Sequence, residues 1–401
     1  MIRVQIIKIK TYFEPHIDPL LMHCPSDVKP MDNFGIPITL KSKNIAYFVN
    51  LYEKDEYENL NKFFPYAVNL CITMCNMHQN ESDRRWALFE VLKKAFTSMN
   101  QELVLEGSGY RIENSVANSD GMPILLGKIK NEISTGCMIV EAMTFYHHAI
   151  NRAATAAGCL LFASMGSLGA IYGFSNYNGN VLCELLVPWR HFSFTTIDYT
   201  GLIHVAKVLS LTKDFIYLKF DEDIPGDSFP YYRSFLQRDF TYSNQIHPEK
   251  LLFKIELDDK SNAIIKFTKT YHLQSHRLLA EAGFAPQIIH YEDILAGWKV
   301  IIMEDVSDHY DHVIELNDLA KKNARMAIET VLHANNFVHG DLSNILVNHD
   351  QNICILDFDW AGEMGHARYP ITINTEDNLW HSGVIPGGLI EKEHDLYYVN
   401  Q

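Results

Sequence analysis

The feature that most constrains the fold is a polar turn between two apolar runs near the C-terminus. Residues 339–344, His-Gly-Asp-Leu-Ser-Asn, follow Phe337 and Val338 and precede the apolar residues 345–347. A second apolar run, residues 353–356, ends on the acidic residues 357–359, Asp-Phe-Asp. The pattern predicts a tight turn and then a strand that ends on a carboxylate. Phosphoryl transfer needs such groups, because one carboxylate orients the attacking hydroxyl while an amide and a second carboxylate hold Mg²⁺ on the nucleotide phosphates.

Residues 339–341 resemble the catalytic loop of the kinase superfamily in its small-molecule-kinase form, and residues 357–359 resemble its metal-binding motif. Asn344 precedes Asp357 by thirteen residues, which matches the spacing of that superfamily. The resemblance implies a role for each residue: Asp341 is the catalytic base, Asn344 and Asp357 bind Mg²⁺, and His339 supports the loop.

The catalytic loop departs from the kinase pattern in its length. Kinases place the asparagine five residues after the catalytic aspartate, whereas Asp341 and Asn344 are three residues apart. A loop that is two residues shorter loses up to about 7 Å of reach. This predicts that Asp341 and Asn344 do not both reach their usual places, so an inactive pseudokinase scaffold stays open as an alternative.

A lysine within an apolar strand provides a second sign of nucleotide binding. Lys266 lies in the run Ile264-Ile265-Lys266-Phe267, where a cation needs a partner or a ligand. The kinase resemblance implies that it neutralises the α and β phosphates and pairs with a helix glutamate. Glu281 is the predicted partner, with His276 as the other residue placed to face the strand. Residues 229–256 contain no glycine, so a glycine-rich phosphate loop is not supported.

Hydrophobic periodicity predicts the elements around these motifs. In the second half it predicts a hairpin of residues 251–255 and 263–267, a helix over 274–282, a strand over 298–303 and a helix over 316–336. The segment 303–306 resembles the hinge that carries an adenine, with Glu304 and Val306 as nucleotide contacts. Asp395 resembles the buried aspartate that holds the catalytic-loop backbone in kinases. In the first half of the chain, hydrophobic periodicity predicts a helix over 82–96 capped by Ser82-Asp83, strands over 103–105 and 124–130, and helices over 141–157 and 203–209.

As a set, several segments resemble the kinase-like domain of fungal and oomycete crinkler-type proteins: 229–235, 264–268, 281–286, 297–299, 357–362, 368–370 and 393–396. The resemblance covers about the last 175 residues. It implies an α/β and α+β protein with two domains. Residues 1–220 would form a restriction-endonuclease-like α/β domain, with about the first 65 unassigned, and residues 221–401 a bilobal protein-kinase-like domain with an abbreviated C-lobe.

Residues 120–136 resemble the active-site strand of a PD-(D/E)XK nuclease. The resemblance implies that two acids hold Mg²⁺ while a lysine helps to activate water, and the candidate residues are Asp120, Lys130 and Glu132. The acid expected two residues before Lys130 is Lys128, which puts a cation where a metal ligand is needed. We therefore predict a degenerate nuclease-like site.

Charge and hydropathy argue against several other classes of function. The formal net charge is -15, which argues against a general nucleic-acid or anionic-membrane binder because Lys and Arg make phosphate contacts. The uncharged run from Ala153 to Phe174 contains four glycines and predicts two buried strands around a glycine turn, not a spanning helix. Residues 1–10 alternate like a strand, unlike a signal peptide. Seven cysteines without a CxxC pair favour reduced thiols in the cytoplasm or nucleus.

The sequence thus predicts an ATP- and Mg²⁺-dependent phosphotransferase that acts on Ser or Thr of an unknown protein. Two alternatives are a pseudokinase scaffold and a nucleic-acid enzyme or binder acting through the nuclease-like domain. A small-molecule acceptor also stays open, because the His-Gly-Asp form occurs in small-molecule kinases.

Overall fold

A computed structural model describes residues 21–22, 36–54, 60–104, 111–119, 121–130, 138–150, 158–177, 180–191, 199–218, 229–247, 250–312, 316–375 and 380–400. The described residues separate into two compact units, which divide between Tyr232 and Arg233. They are called the N-terminal unit and the C-terminal unit below. The strand predicted over residues 1–10 lies outside the described residues.

The N-terminal unit contains the helices α1 (Ile38–Lys41), α2 (Lys43–Glu53), α3 (Phe64–Cys75), α4 (Glu81–Ala95), α5 (Met138–Ile150) and α6 (Tyr199–Tyr217). Its strands are β1 (Leu21–Met22), β2 (Asn100–Val104), β3 (Arg111–Ala117), β4 (Pro123–Lys130), β5 (Cys159–Met165), β6 (Leu168–Tyr177) and β7 (Asn180–His191). They form one mixed sheet in the order β1-β7-β6-β5-β4-β3-β2. The pairs β4–β5 and β1–β7 are parallel, and the other neighbours are antiparallel.

The uninterrupted apolar run of β5 follows from its position in the middle of this sheet, with helices on both faces. Leu160 and Phe162 pack into one core with α2, α3, α4 and α6. Leu161 and Ala163 point to the opposite face and pack with α5. The two strands predicted around a glycine turn are confirmed as β5 and β6, which turn at Gly166 and Ser167. Among the described helices, none is long and apolar enough to cross a membrane.

Helix boundaries in the N-terminal unit differ from the periodicity-based predictions. The side chain of Asn80, not of Ser82 or Asp83, caps α4, and its Oδ1 accepts a hydrogen bond from Asp83 N at 2.9 Å. Both patterns place a capping residue before the same apolar face, so the shift of two or three residues is hard to resolve from sequence. Helix α6 is much longer than the predicted 203–209. The predicted helix 141–157 corresponds to α5, and residues 151–157 lie outside the described part.

The C-terminal unit begins with strands that build one six-stranded sheet. The elements are β8 (Ser234–Phe235), β9 (Arg238–Gln245), β10 (Leu252–Leu257), β11 (Asn262–Thr268), α7 (Leu273–Glu281), β12 (Ile288–Asp293) and β13 (Lys299–Glu304). The order in the sheet is β12-β13-β11-β10-β9-β8, and every neighbouring pair is antiparallel. The predicted hairpin is confirmed as β10–β11, in which Leu252 pairs with Lys266.

The rest of the C-terminal unit is a helical layer with short strands. It comprises β14 (Asp311–His312), α8 (Asp318–Ala327), β15 (Phe337–Val338), β16 (Ile345–Val347), β17 (Ile353–Ile355), β18 (Gly362–Glu363) and α9 (Lys392–Asn400). After α8 the chain continues through a π-helical turn at Ile328–Leu332 and a 3₁₀ turn at His333–Asn335. Residues of α7, α8, β16 and β17 share one core with Phe358, which fixes the polar turn and the acidic strand end against the same packed layer.

Candidate active site

The polar turn at residues 339–341 is held by a buried carboxylate. Asp395 of α9 is 2% exposed, and it accepts hydrogen bonds from His339 N at 2.9 Å and Gly340 N at 2.8 Å. Its Oδ2 also lies 3.1 Å from His333 Nε2. Two backbone donors that would otherwise be buried without a partner are thereby satisfied. The prediction that Asp395 holds the backbone of this loop is confirmed.

The backbone conformation and the packing at position 340 explain the glycine in the His-Gly-Asp turn. Its φ is +83°, a left-handed conformation that glycine adopts without strain. A Cβ at this position would also lie 2.6 Å from Ile390 Cδ1, closer than carbon atoms approach. The backbone conformation therefore favours glycine between His339 and Asp341, and any larger residue there would also displace the Ile390 side chain.

Asp341 is directed by its own short loop. Its Oδ1 accepts hydrogen bonds from Ser343 N at 3.2 Å and from Ser343 Oγ at 2.5 Å. Its backbone N–H donates to His339 Nδ1 at 3.3 Å. The imidazole of His339 is fully buried with its edge against the Phe358 ring. His339 therefore anchors the loop to the packed core. The shortened segment forms a single 3₁₀ turn, Leu342–Asn344, which Asp341 caps.

Asn344 and Asp357 lie together despite the short loop. Leu356 N donates to the carbonyl of Asn344 at 3.2 Å, which joins the turn to the acidic strand end. Asn344 Oδ1 and Asp357 Oδ2 lie 3.4 Å and 3.5 Å from the same ammonium nitrogen, that of Lys250. Two oxygens that converge on one cation position suit Mg²⁺, which prefers hard oxygen ligands. Asp357 has a φ of +68°, a conformation that costs energy in a non-glycine residue and is concentrated at functional sites.

Lys266 pairs with the acidic strand end. Its Nζ lies 2.5 Å from Asp357 Oδ1 and 2.7 Å from Asp359 Oδ1. Burial opposes charge on the Lys266 side chain, but the two carboxylates outweigh it and raise the pKa of its ammonium. Burial alone would raise the pKa of Asp357, yet the Lys266 ammonium holds that pKa well below its usual range. For Asp359, burial dominates and raises the pKa to about 6.

Glu281, the predicted partner of Lys266, lies elsewhere. It is the last residue of α7 and is exposed, whereas the described partners of Lys266 are the two strand-end carboxylates. His276 occupies the inward face of α7 together with Leu279 and Ala280, three and four residues further on. Its ring stacks on Phe358 at 4.5 Å between centroids and 12° between planes. Asp359 thus takes the pairing role that was expected of Glu281.

The His276 imidazole is neutral, and both of its ring nitrogens make hydrogen bonds. Nδ1 lies 2.6 Å from the Tyr271 hydroxyl and Nε2 lies 2.9 Å from the Pro286 carbonyl, which assigns the proton to Nε2 because a carbonyl only accepts. Burial lowers the pKa of His276 from 6.5 to about 4; the hydrogen bond to the Pro286 carbonyl opposes this shift, and the nearby Lys266 and His339 side chains add to it.

This lowered pKa predicts acid sensitivity of the C-terminal unit. The unfolded chain binds the proton more tightly than the folded one, so stability is full above pH 6.5 and falls as the pH drops toward 4. Between pH 7 and pH 5 the loss should be about 2 kcal/mol. Urea unfolding of wild type and His276→Gln at both pH values measures it. The free energy of unfolding of the wild type should fall by this amount more than that of His276→Gln. The control variant His312→Gln, at an exposed position, should lose as much as the wild type. Equal losses in all three proteins would contradict the prediction.

The predicted adenine hinge lies at the end of β13. Glu304 is exposed, and its backbone N–H donates to the Gln287 carbonyl at 2.9 Å. Val306 is half-buried, and its carbonyl accepts from His309 N and Tyr310 N, both at 3.0 Å. Between them, Asp305 forms an ion pair with Lys254 of β10 at 2.8 Å. The hinge segment is therefore tied to β10 by an ion pair, while the nucleotide contacts of Glu304 and Val306 stay predictions.

The nuclease-like residues can be located only in part. Asp120 and Glu132 lie outside the described residues. Lys128 forms an ion pair with Glu141 of α5 at 2.7 Å, and Lys130 lies 3.6 Å from Glu141 and 3.8 Å from Glu81 of α4. Lysines on this part of β4 are thus neutralised by helix acids. A degenerate nuclease-like site stays a prediction.

Sequence reasoning missed two residues that the structure places in the ion-pair cluster of Asp357 and Lys266, namely Lys250 and Asp359. Asp359 carried a usable signal, because it lies two residues from Asp357 in a segment that also had to neutralise Lys266. Lys250 lies in the turn between β9 and β10, where a lysine is ordinary. The signal for it was indirect: residues 229–256 contain no glycine, so a phosphate-binding turn here would have to use a side chain.

Comparisons with known proteins give a weak likeness to kinases. No family model matches the sequence, and no curated protein matches it. The structure is similar to that of the Cydia pomonella granulovirus kinase PK-1, with 19% identity and a TM-score of 0.32 over 40% of this chain and 65% of that chain. It is also similar to vaccinia related kinase 3, with 15% identity and a TM-score of 0.30 over 40% of this chain and 62% of that one. This chain thus spans less than two thirds of either kinase, and scores this low carry over no activity.

Proposed function

We propose that the C-terminal unit is an ATP- and Mg²⁺-dependent phosphotransferase that acts on a serine or threonine hydroxyl of a protein. The observation that carries this proposal is the convergence of Asn344 Oδ1 and Asp357 Oδ2 on one cation position. Lys266 lies beside Asp357, and Asp341 lies in a loop whose backbone is held by Asp395. The buried Lys266 needs a counter-charge in any case, but phosphoryl transfer also accounts for the amide of Asn344 and the carboxylate of Asp341 beside this ion pair.

Each residue contributes one part of the chemistry. Asn344 and Asp357 would hold Mg²⁺, which supplies charge neutralisation on the transferred phosphoryl group. Lys266 would bind the phosphates closer to the nucleoside, with Asp357 and Asp359 orienting its ammonium. Asp341 would accept the proton of the attacking hydroxyl and orient it in line with the leaving oxygen. The exposed side of this loop is where an acceptor side chain would enter.

Replacement of Asp357 by alanine tests this function. It removes one of two oxygen ligands and a carboxylate partner of Lys266, so we expect ATP affinity to lose its dependence on Mg²⁺ and γ-phosphate transfer to become undetectable. Calorimetric ATP titration with Mg²⁺ or EDTA and transfer of labelled γ-phosphate to a generic protein acceptor provide the two readouts. Asp350→Ala, in the exposed turn between β16 and β17, is the matched control and should behave like the wild type.

A pseudokinase scaffold is the second candidate, and a specific observation favours it. Both oxygens of Asp357 are already paired with ammonium groups, Oδ1 with Lys266 and Oδ2 with Lys250, so the site is satisfied without a nucleotide. Nucleotide binding by the wild type without any transfer above the Asp357→Ala background would establish this second function in place of the first.

A further inference from the structure

The turn between β9 and β10 places a second lysine at the candidate active site. Lys250 precedes β10, and its carbonyl accepts from Gln245 Nε2 at 2.9 Å while its N–H donates to the His247 carbonyl at 3.2 Å. These bonds tie its backbone to the end of β9. The side chain then extends to Asn344 Oδ1 and Asp357 Oδ2. Lys250 therefore joins the sheet of this unit to the two residues proposed to hold Mg²⁺.

The ammonium of Lys250 makes only weak contacts with Asn344 and Asp357. Its distances of 3.4 Å and 3.5 Å are at the long limit for hydrogen bonds. The side chain of Lys250 is 45% exposed, whereas that of Lys266 is 13% exposed. An exposed lysine stem has several rotamers of similar energy, so little is lost when its ammonium moves to a stronger anion.

The Asp357 carboxylate lies between two cations that come from different parts of the sheet. Lys266 contacts Oδ1 from the middle of β11, and Lys250 contacts Oδ2 from the β9–β10 turn. Nucleotide phosphates form an extended chain of negative charge, which a pair of separated ammonium groups matches better than one. The turn itself has no glycine that would let backbone N–H groups approach phosphate closely.

We propose that Lys250 is a second phosphate-binding residue for the nucleotide, supplying by its side chain the contact that this glycine-free turn cannot make with its backbone. The inference rests on the proposed function, since it assigns a further residue to the same site. In the site loaded with nucleotide, the ammonium of Lys250 contacts phosphate oxygens, and its pairing with Asn344 and Asp357 is the resting arrangement.

Calorimetric titrations of ATP and of adenosine, each in Mg²⁺ and in EDTA, test the inference. Lys250→Gln should weaken ATP binding about tenfold, the effect of losing one charge-assisted contact, under both conditions. It should leave adenosine binding unchanged, because adenosine has no phosphate. Lys250→Arg should recover most of the ATP affinity. Lys260→Gln is the matched control, since Lys260 lies in the neighbouring β10–β11 turn and pairs only with Glu256 among its described partners.

The outcomes separate this inference from the function on which it rests. ATP binding by Lys250→Gln that equals the wild type would overturn the inference and leave the proposed function intact. Tighter binding of Mg²⁺ and ATP by Lys250→Gln would also overturn it, because it would show that the lysine competes with the metal. Wild-type protein that binds neither ATP nor adenosine would overturn the proposed function together with this inference.

Discussion

Replacement of Asp341 by asparagine is expected to lower the rate of γ-phosphate transfer about 10³-fold and to leave ATP affinity unchanged. Among the described residues, the hydrogen bonds that this carboxylate accepts both go to Oδ1, from Ser343. Under the proposed function, Oδ2 would be the oxygen that accepts the proton of the acceptor hydroxyl. Asparagine has the same shape and keeps an oxygen for Ser343, but its amide cannot take up a proton.

Single-turnover transfer and ATP titration measure the two effects separately. Asp350→Asn makes the same chemical change in an exposed turn and should retain wild-type transfer. Ser343→Ala is the informative second variant, because it removes the 2.5 Å bond that fixes Oδ1, and it should lower the rate less than Asp341→Asn. Transfer by Asp341→Asn at the wild-type rate would show that Asp341 is not the base.

Replacement of Asp395 by alanine is expected to have the largest effect on stability, a loss of about 3 kcal/mol in the unfolding free energy of the C-terminal unit. The change leaves the buried N–H groups of His339 and Gly340 without their acceptor and removes the partner of His333 Nε2. Each orphaned donor costs about 1–3 kcal/mol because water cannot reach it. Transfer should be lost as well, since the loop that carries Asp341 is no longer held.

Urea unfolding at pH 7 checks the stability part of this expectation. Glu393→Ala removes an exposed acid from the same helix and should change the unfolding free energy little. Asp395→Asn keeps one acceptor oxygen but turns an N–H₂ group toward a second donor, so it should fall between the two. A loss below about 1 kcal/mol in Asp395→Ala would mean that other groups hold the loop backbone.

The parts of the site that sequence predicts well are those joined by short stretches of chain. The turn at residues 339–344, the acidic strand end and the β10–β11 hairpin all follow from local apolar patterns and turn residues. Asp395 is distant in sequence, and it was found through its resemblance to a known helix acid. The structure then shows that its carboxylate accepts two hydrogen bonds from the loop backbone.

Side-chain pairing across elements is where sequence reasoning failed. The choice of Glu281 for Lys266 treated charge as sufficient, but the rotation of α7 decides which residue faces the sheet. Because α7 begins at Leu273, the inward positions are 276, 279 and 280, and Glu281 falls outside that stripe. Lys250 gave no periodic signal at all, since a turn residue has no repeating neighbours. The prediction that the short loop keeps Asp341 and Asn344 from reaching their usual kinase places together stays a prediction; the structure shows that the 3₁₀ turn leaves Asn344 Oδ1 and Asp357 Oδ2 near the same ammonium, that of Lys250.

The π-helical turn at Ile328–Leu332 has a consequence for insertions and deletions. Relative to a regular α-helix it contains one extra residue, and each residue of an α-helix turns the next by about 100°. His333, directly after this turn, faces Asp395 at 3.1 Å. Loss of any one residue from the turn would give a more regular helix while rotating His333 away from that carboxylate. The register of this helix is therefore constrained by length as much as by residue type, and a single-codon deletion here would act on the loop of Asp341 without changing any residue of the site.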